Sequence, residues 1–448
     1  MMLYNTRATR LALWTAAAGI VLGALIVGAV AAHHLHRRAA TGELAPDPAA
    51  FRYRYPATAP AAAPDTAATI AALEDRVRAM ASPFDLAELA ELHLRKAQQD
   101  GDPADYQAAE AMARRSLELL PSPNPAVLTL ARLAEARHEF RDAIELARRY
   151  KGRSAGAQIV LATAHLALGE LPAAAEAADA ALAIKPDSGG HLMRALVMSA
   201  QGRDPEAAFE LAAAARLEEP GDLPGAARLR ALWGRFLLRR GELDGAARVL
   251  DEALRIAPGY PLAVACRGEL LLRTGAARDA ARAFEQAFAS SRQVRYLIDE
   301  ARAEELAGDP TGADALRTQV EAIVRGELAE GGLGHRLDLA EVLVDRGRPT
   351  DLAEAVALAR EEVARRQSFE ARFQLARALT RTGARDEASR EVAAALASGA
   401  HEAQLYELAA QLEAQRGNAA ASALYTRLAD RLDPGGSGWR TLGLERAR

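Results

Sequence analysis

Residues 161–186 read LATAHLALGELPAAAEAADAALAIKP and contain two helical patterns separated by one short turn. Gly169 and Glu170 mark the turn, and Pro186 ends the second pattern because proline cannot continue a helix. Three alanines in the second pattern are spaced so that they share one helical face: Ala174, Ala178 and Ala181. This stretch therefore predicts a hairpin of two antiparallel helices.

A small residue in the register of Ala174 recurs along most of the chain. The series consists of Ala109, Ala143, Ala174, Ala208, Ala246, Ala280, Ala313, Ala355, Ala388 and Ser422. The intervals are 34, 31, 34, 38, 34, 33, 42, 33 and 34 residues. Such intervals are typical of stacked helix hairpins, in which small residues let the helices pack closely. We predict an all-α solenoid over residues 83–434, with extra residues near 346–352 bulging outward.

Other residues around this series match a known repeat. Trp233-Gly234 and Gly268 fall on predicted first helices, and Phe284 falls on a second helix. Prolines close several units: Pro121, Pro186, Pro220, Pro258 and Pro434. At these positions the chain resembles the tetratricopeptide repeat (TPR) family, although most aromatic slots of that repeat hold Ala or Leu here. The resemblance implies a right-handed α-solenoid of about ten hairpins with an inner groove.

The composition supports a helical array and disfavours nucleic acid as a partner. Half of the residues are hydrophobic, 5% are aromatic and 26% are charged, which suits an Ala- and Leu-rich helical protein. The formal net charge is −4, so the chain lacks the positive charge that attracts polyanions. We predict no nucleic-acid binding.

Residues 11–32 form an uncharged stretch of 22 residues, long enough to cross a bilayer as a helix. We interpret it as a transmembrane signal anchor behind an amino-terminal flank, residues 1–10. Arginines lie on both sides of it, so the charge rule orients it weakly. We expect a single-pass inner-membrane protein of a bacterium, with periplasmic repeats. The alternatives are a cytoplasm-facing adaptor and a secreted soluble protein cleaved near residues 29–31.

Residues 33–82 are rich in Pro and Ala and predict an extended tether between the span and the repeats. Within it lies an alternation of aromatic and cationic side chains, here called the aromatic strip: Phe51, Arg52, Tyr53, Arg54 and Tyr55. One interpretation is a docking strip for a partner or for the first repeats. The other is a segment that rests near the membrane interface. At the other end, residues 435–448 predict a polar tail.

No catalytic motif is present, so we predict neither an enzyme nor a cofactor. His93 and His165 fit inward helix positions, and the glycine cluster at 331–334 fits a helix terminator. Cys266 is the single cysteine and fits a buried structural thiol. A cluster of histidines follows the predicted span: His33, His34 and His36. They could bind a metal in a metallochaperone, but their place at a membrane flank favours an interfacial role, so we predict no metal site.

The TPR resemblance assigns a set of residues to the inner groove: Arg132, Arg235, Glu269, Arg302, Glu341, Arg377 and Gln411. It implies a protein or peptide client, and it leaves a homo-oligomer open. The family's Lys and Asn clamp for a peptide carboxylate is not matched. We therefore expect a membrane-tethered scaffold or adaptor in envelope assembly, secretion or protein maturation. Charge reversal at Arg235 or Arg302 is expected to spare the fold and weaken binding of an acidic client.

Overall fold

The computed structural model describes residue 44 and residues 46–57, 66–329 and 334–436. The chain divides into two compact units, Met1–Leu44 and Ala45–Arg448, and almost all described residues belong to the second. The predicted membrane span (11–32), its flank (1–10), His33, His34, His36 and the tail beyond residue 436 lie outside the described residues. Across the described ranges, no helix combines the length and apolar character that a membrane crossing requires.

The described part of the second unit consists of helices joined by short turns, with no strand in the ranges given above. Two helices come first: α1 (Pro48–Phe51) and α2 (Thr66–Ala79). Hairpins 1 to 5 follow: α3 (Pro83–Asp100) with α4 (Pro103–Leu119), α5 (Ala126–Ala136) with α6 (Phe140–Arg149), α7 (Ala155–Ala167) with α8 (Leu171–Ile184), α9 (Ser188–Ala200) with α10 (Asp204–Arg216), and α11 (Leu223–Leu238) with α12 (Leu243–Ile256). Hairpins 6 to 10 are α13 (Pro261–Arg273) with α14 (Ala277–Ser291), α15 (Val294–Leu306) with α16 (Pro310–Ala329), α17 (Arg336–Arg346) with α18 (Pro349–Arg365), α19 (Phe369–Arg381) with α20 (Arg385–Ala397), and α21 (Ala403–Gln415) with α22 (Ala419–Leu432). The predicted all-α hairpin array is therefore confirmed.

Local sequence sets where the helices begin. Asp102 accepts a hydrogen bond from the backbone N–H of Ala104 at 2.9 Å, and Pro103 occupies the first turn of α4. Asp187 caps α9 in the same way through Gly190, also at 2.9 Å. Such caps satisfy backbone donors that have no partner inside the helix. The first turns of α4 and α9 therefore have one backbone donor each satisfied by a side chain.

The small residues of the repeat lie at the crossing of the two helices, as their spacing predicts, except in hairpin 4. Ala174, Ala246 and Ala280 are fully buried at the crossing of their hairpins. In hairpin 4 the equivalent residue is Ala207, not Ala208, because α10 begins at Asp204 and places Ala207 in the fully buried position. The series was therefore read one residue too far along in that hairpin.

Close approach also explains the glycines that carry the TPR resemblance. A Cβ added to Gly234 would lie 2.6 Å from the side chain of Leu250, and one added to Gly268 would lie 2.9 Å from the ring of Phe284. Neither distance is compatible with a side chain at the glycine unless the neighbour moves. The two glycines therefore let the helices of hairpins 5 and 6 come together.

The 42-residue interval does not produce a bulge at residues 346–352, as the sequence had suggested. Gly347 ends α17 and α18 begins at Pro349, so the connection there is short. The extra length extends the helices themselves, because α16 has 20 residues and α18 has 17. The prediction was wrong because an insertion of whole helical turns lengthens a helix without disturbing its packing face.

Helix α2 lies inside the segment assigned to the tether. Ile70 and Leu73 are buried against Leu89 and Leu92 of α3. Because α2 is a helix of 14 residues packed on hairpin 1, this part of residues 33–82 differs from the extended conformation expected. The spacing of Ile70, Leu73 and Val77 along one helical face accounts for the difference.

The early and late hairpins contact each other. The loop between the two helices of hairpins 1, 2, 3, 4 and 5 contacts the segment that follows hairpins 6, 7, 8, 9 and 10, respectively. Gly101 lies against Ser291, Gly169 against Gln367, Gly202 against His401, and Gly241 against Pro434. In hairpin 2 the ring of His138 lies 6.0 Å from that of His335. Hairpins 1 to 5 therefore contact hairpins 6 to 10 along the chain. Residues of the later hairpins line a cavity.

Candidate functional site

The candidate site is a partly open cavity of about 360 Å³ lined by residues of hairpins 5 to 10. It is lined mainly by the first helices of these hairpins, α11, α13, α15, α17, α19 and α21. Five of the seven residues assigned to the inner groove line it: Arg235, Glu269, Arg302, Glu341 and Arg377. The structure therefore brings together residues that are up to 142 positions apart, from 235 to 377.

The other two assigned residues lie elsewhere. Arg132 is in hairpin 2, where its guanidinium donates to both carboxylate oxygens of Glu91 at 2.6 and 2.7 Å. Gln411 is on α21 but is not among the residues that line the cavity. Neither residue shares the surroundings of the other five.

One wall of the cavity is an ion-pair network that crosses three hairpins. Glu341 of α17 accepts hydrogen bonds from Arg295 at 2.6 Å and from Arg302. Asp345, one turn further along α17, accepts from Arg377 of α19 at 2.8 Å. Burial alone would raise the pKa of Glu341, but Arg295 and Arg302 outweigh it and hold that pKa well below its usual range. These charges fix the spacing of hairpins 7, 8 and 9.

A second group of lining residues differs, because its polar side chains have no hydrogen-bond or ion-pair partner in the described part of the chain. Arg235 of α11, Glu269 of α13 and the hydroxyl of Tyr296 of α15 all line the cavity. Burial lowers the pKa of Arg235 and raises those of Glu269 and Tyr296. Desolvated groups that still lack partners are costly, so these three are available to a ligand.

Aromatic and apolar side chains complete the lining. Phe369 and Phe373 of α19 are partly buried at the cavity, and Phe284 is almost fully buried behind it. Cys266 also lies here, 3% exposed, and burial raises the pKa of its thiol to about 12. The cysteine is therefore the buried, inert thiol that the sequence indicated.

Contacts between distant hairpins close the cavity. The side chain of Arg273 in hairpin 6 is 4% exposed and pairs with Asp433, beyond hairpin 10. The fully buried guanidinium of Arg240, beside hairpin 5, donates to Asp204 at 2.9 Å and lies 3.8 Å from Glu402. Removing one member of such a buried pair is strongly destabilising, so these contacts hold the ring of hairpins together.

The sequence-based set contained Arg302 and Glu341 but missed Arg295, Asp299 and Asp345 of the same network. Arg295 and Asp299 precede Arg302 by 7 and 3 residues on α15, and Asp345 follows Glu341 by 4 residues on α17. These spacings place charges on one helical face, so the signal was present. It could not reveal Tyr296 or Asp433, because those residues reach the cavity only through the winding of the solenoid.

The aromatic strip lies on hairpins 4 and 5, away from hairpin 1. Phe51 and Tyr53 are 6% and 4% exposed, whereas Arg52, Arg54 and Tyr55 are exposed. The ring of Phe51 meets Trp233 edge-on with centroids 6.4 Å apart. The strip therefore has an intramolecular surface in α11 and its neighbours.

The histidines singled out from the sequence have acidic neighbours in the fold. His93 Nδ1 lies 2.7 Å from Asp105, and His165 Nδ1 lies 2.5 Å from Glu170. Of the glycine cluster at 331–334, only residue 334 is described. Within the described ranges, no group of three or more His, Cys, Asp or Glu residues could hold a metal ion.

Three solved structures to which this chain is similar are distant in sequence. The human IFIT1 dimer with PPP-AAAA is 15% identical, with 82% of this chain and 94% of that chain covered and a TM-score of 0.46. The Pseudomonas aeruginosa pilF protein is 20% identical, with 49% and 95% covered and a TM-score of 0.35. A thermophilic TPR protein of Thermus thermophilus is 27% identical, with 38% and 92% covered and a TM-score of 0.34. The sequence matches no family model and no curated protein.

The fold and the site define an α-solenoid of stacked helix hairpins with a partly open inner cavity. The described residues form ten consecutive hairpins, with small residues at the crossings and glycines packed against Leu250 and Phe284. In these features the chain resembles the tetratricopeptide repeat.

Proposed function

We propose that the chain is a scaffold that binds a segment of a protein client in the cavity of hairpins 5 to 10. The observation that carries the proposal is the set of cavity groups without internal partners, Arg235, Glu269 and Tyr296. A guanidinium, a carboxylate and a phenol can together satisfy an acidic side chain, a donor group and a backbone amide of a peptide. The neighbouring Phe369 and Phe373 offer an apolar surface for its side chains.

The charge of the cavity favours a peptide over a polyanion. Its lining contains six arginines, Arg235, Arg239, Arg273, Arg295, Arg302 and Arg377. It also contains six carboxylates, Glu269, Asp299, Glu341, Glu370, Glu402 and Asp433. Binding of nucleic acid depends on an excess of positive charge, and this surface has none. A mixed peptide segment with an acidic side chain fits it better.

The test measures peptide binding to charge-reversal variants of the full chain in detergent. Peptides selected from a random library on the wild type are labelled and titrated against Arg235→Glu and against Arg248→Glu, an exposed arginine on α12 outside the cavity lining. We expect Arg235→Glu to weaken acidic peptides at least about tenfold, as expected for loss of a charge-assisted hydrogen bond, and Arg248→Glu to have no effect. Equal binding by both variants would reject the cavity as the site.

We further propose that residues 11–32 anchor the protein in the inner membrane, with the repeats in the periplasm, where they serve envelope assembly, secretion or protein maturation. The uncharged stretch of 22 residues supports this proposal. Protease added to intact spheroplasts should digest the repeats while the span stays with the membrane fraction. Full protection of the repeats would instead place them in the cytoplasm, and recovery of the chain in the soluble fraction would reject the anchor.

A further inference from the structure

The surface beneath the aromatic strip is a groove between α10, α11 and α12, separate from the inner cavity. Phe51 and Tyr53 point into it and are buried, while Arg52 and Arg54 between and beside them point outward. Phe51 ends helix α1 and Arg52 is extended, with φ −65° and ψ 130°, so the side chains on either side of Arg52 face the same way. The groove therefore receives two aromatic side chains that are two residues apart.

The groove also binds the backbone of the strip. The Nε of Arg230 donates to the carbonyl oxygen of Phe51 at 2.6 Å, and the backbone N–H of Tyr53 donates to Glu252 at 2.8 Å. The hydroxyl of Tyr53 accepts from the backbone N–H of Gly221 at 3.2 Å. Main-chain hydrogen bonds combined with pockets for alternate side chains are the usual means of recognising an extended peptide.

The charged groups of the groove are paired without help from the strip. Arg230 is fully buried and donates to both oxygens of Glu218, at 2.5 and 3.0 Å. Glu252 accepts two hydrogen bonds from Arg255, each of 2.7 Å. Because each charge keeps an internal partner when the strip leaves, departure of the strip strands no buried charge. The internal pairs of Arg230 and Glu252 therefore allow the strip to detach without leaving either charge unpaired.

We propose that this groove is a recognition site for a peptide segment with aromatic side chains at positions i and i+2 on either side of one extended residue, and that the chain's own aromatic strip occupies it in cis. The partner that fits is a protein segment with the same pattern and with a free backbone N–H at the second aromatic residue for Glu252. This site goes beyond the client cavity, because it is formed by α10, α11 and α12 and its contact residues Arg230, Glu252 and Gly221 do not line that cavity.

The experiment adds the strip in trans to the full chain in detergent. A fluorescein-labelled peptide with the sequence of residues 46–57 is titrated against wild type, Phe51→Ala/Tyr53→Ala and the matched control Arg52→Ala/Arg54→Ala. We expect the peptide to bind Phe51→Ala/Tyr53→Ala at least about tenfold more tightly than the other two, because only that variant has an empty groove. A peptide with both aromatic residues replaced by alanine should not bind.

Two results would overturn the proposal: equal binding by all three proteins, or no binding by a Phe51→Ala/Tyr53→Ala variant whose circular dichroism is native. If that variant does not fold, hydrogen exchange in the wild type decides. A detachable strip predicts that the Tyr53 amide exchanges at least about tenfold faster than the amides of α11 and α12. Exchange of the Tyr53 amide at the same rate as those helices would show that the strip is part of the core.

Discussion

Hairpins 1 to 4 and hairpins 7 to 9 share one repeat but differ in how their polar side chains are used. The early hairpins contain ionic pairs within one hairpin, such as His191 with Glu210 at 2.6 Å, and between two neighbouring hairpins, such as Arg132 with Glu91 at 2.6 Å. In the later hairpins Glu341 and Asp345 of hairpin 8 pair with arginines of both neighbouring hairpins, 7 and 9. The small residues at the crossings are the same in both regions, so the difference lies in what the first helices present to the inner surface.

The comparison separates the determinants of fold from those of function. Buried alanines such as Ala174 and Ala280 set the distance between helices in every region, so they carry no information about a ligand. The polar residues on the first helices are under no such constraint. Where they are paired across hairpins they brace the solenoid, and where they face the cavity unpaired, as Arg235 does, they are available to a client.

The largest expected change in stability distinguishes the ion-paired Arg302 from Arg235, which has no ionic partner in the described residues. Arg302→Glu places a carboxylate beside Glu341 and Asp345, both of which are almost fully buried. Breaking a buried pair in this way should lower the free energy of unfolding by about 3–5 kcal/mol. Arg235→Glu should leave it nearly unchanged, since Arg235 has no ionic partner in the described residues. Thermal melting followed by circular dichroism measures both.

This expectation corrects the sequence-based view that reversal at either arginine would spare the fold. That view treated both residues as positions on an open groove. The structure assigns Arg302 to the bracing network and Arg235 to the free surface. Similar melting of the two variants would contradict this division.

The next largest change in stability tests whether the helix crossings of hairpins 3 and 5 are packed equally closely. Ala174→Trp in hairpin 3 and Ala246→Trp in hairpin 5 overpack fully buried positions and should each cost about 3 kcal/mol. Ala289→Trp on the exposed face of α14 serves as the control. Chemical denaturation monitored by circular dichroism should show matched losses for the two buried sites and none for the control. Unchanged stability at either buried site would contradict the repeat register.

A smaller effect concerns pH in the early hairpins. Burial outweighs the attraction of Arg132 and Arg228 and raises the pKa of Glu135 to about 8 from an ordinary value of 4.5. Between those values the native state holds a proton that the unfolded chain has released, so the free energy of unfolding falls as pH rises. Glu135→Gln should remove this fall and melt roughly 2 °C higher than wild type at pH 8.

The control for this prediction is Glu118→Gln, which removes an exposed carboxyl group on α4 in the same region. It should retain the wild-type decline in melting temperature between pH 4.5 and 8. If Glu135→Gln and Glu118→Gln showed the same pH dependence, Glu135 would not be the group that titrates in this range.

The hairpins could be predicted from sequence because their determinants are local and periodic. The 34-residue interval, the prolines between units and the inward alanines each act within one hairpin or between neighbours. Ala208 was misplaced by one residue because adjacent alanines, Ala207 and Ala208, fit the pattern equally well until the start of α10 is known.

The cavity could be predicted only in part. Analogy with the repeat correctly placed Arg235, Glu269 and Glu341 on first helices, but contacts such as Gly202 with His401 depend on the winding of the solenoid. Winding accumulates from small rotations between hairpins, which no short sequence pattern specifies. The same is true of the surface that receives Phe51 and Tyr53, since the strip meets residues about 170 to 200 positions away.

The most direct test of the client cavity compares photo-crosslinking from the two regions. The photoreactive residue p-benzoylphenylalanine is placed at Phe373 in the cavity or at Arg132 in hairpin 2, in the full chain, and irradiated with a labelled acidic peptide selected on the wild type. We predict efficient crosslinking from position 373, little from position 132, and loss of the crosslink at 373 when Arg235→Glu is added. Efficient crosslinking from position 132 with none from 373 would contradict the assignment of client binding to hairpins 5 to 10.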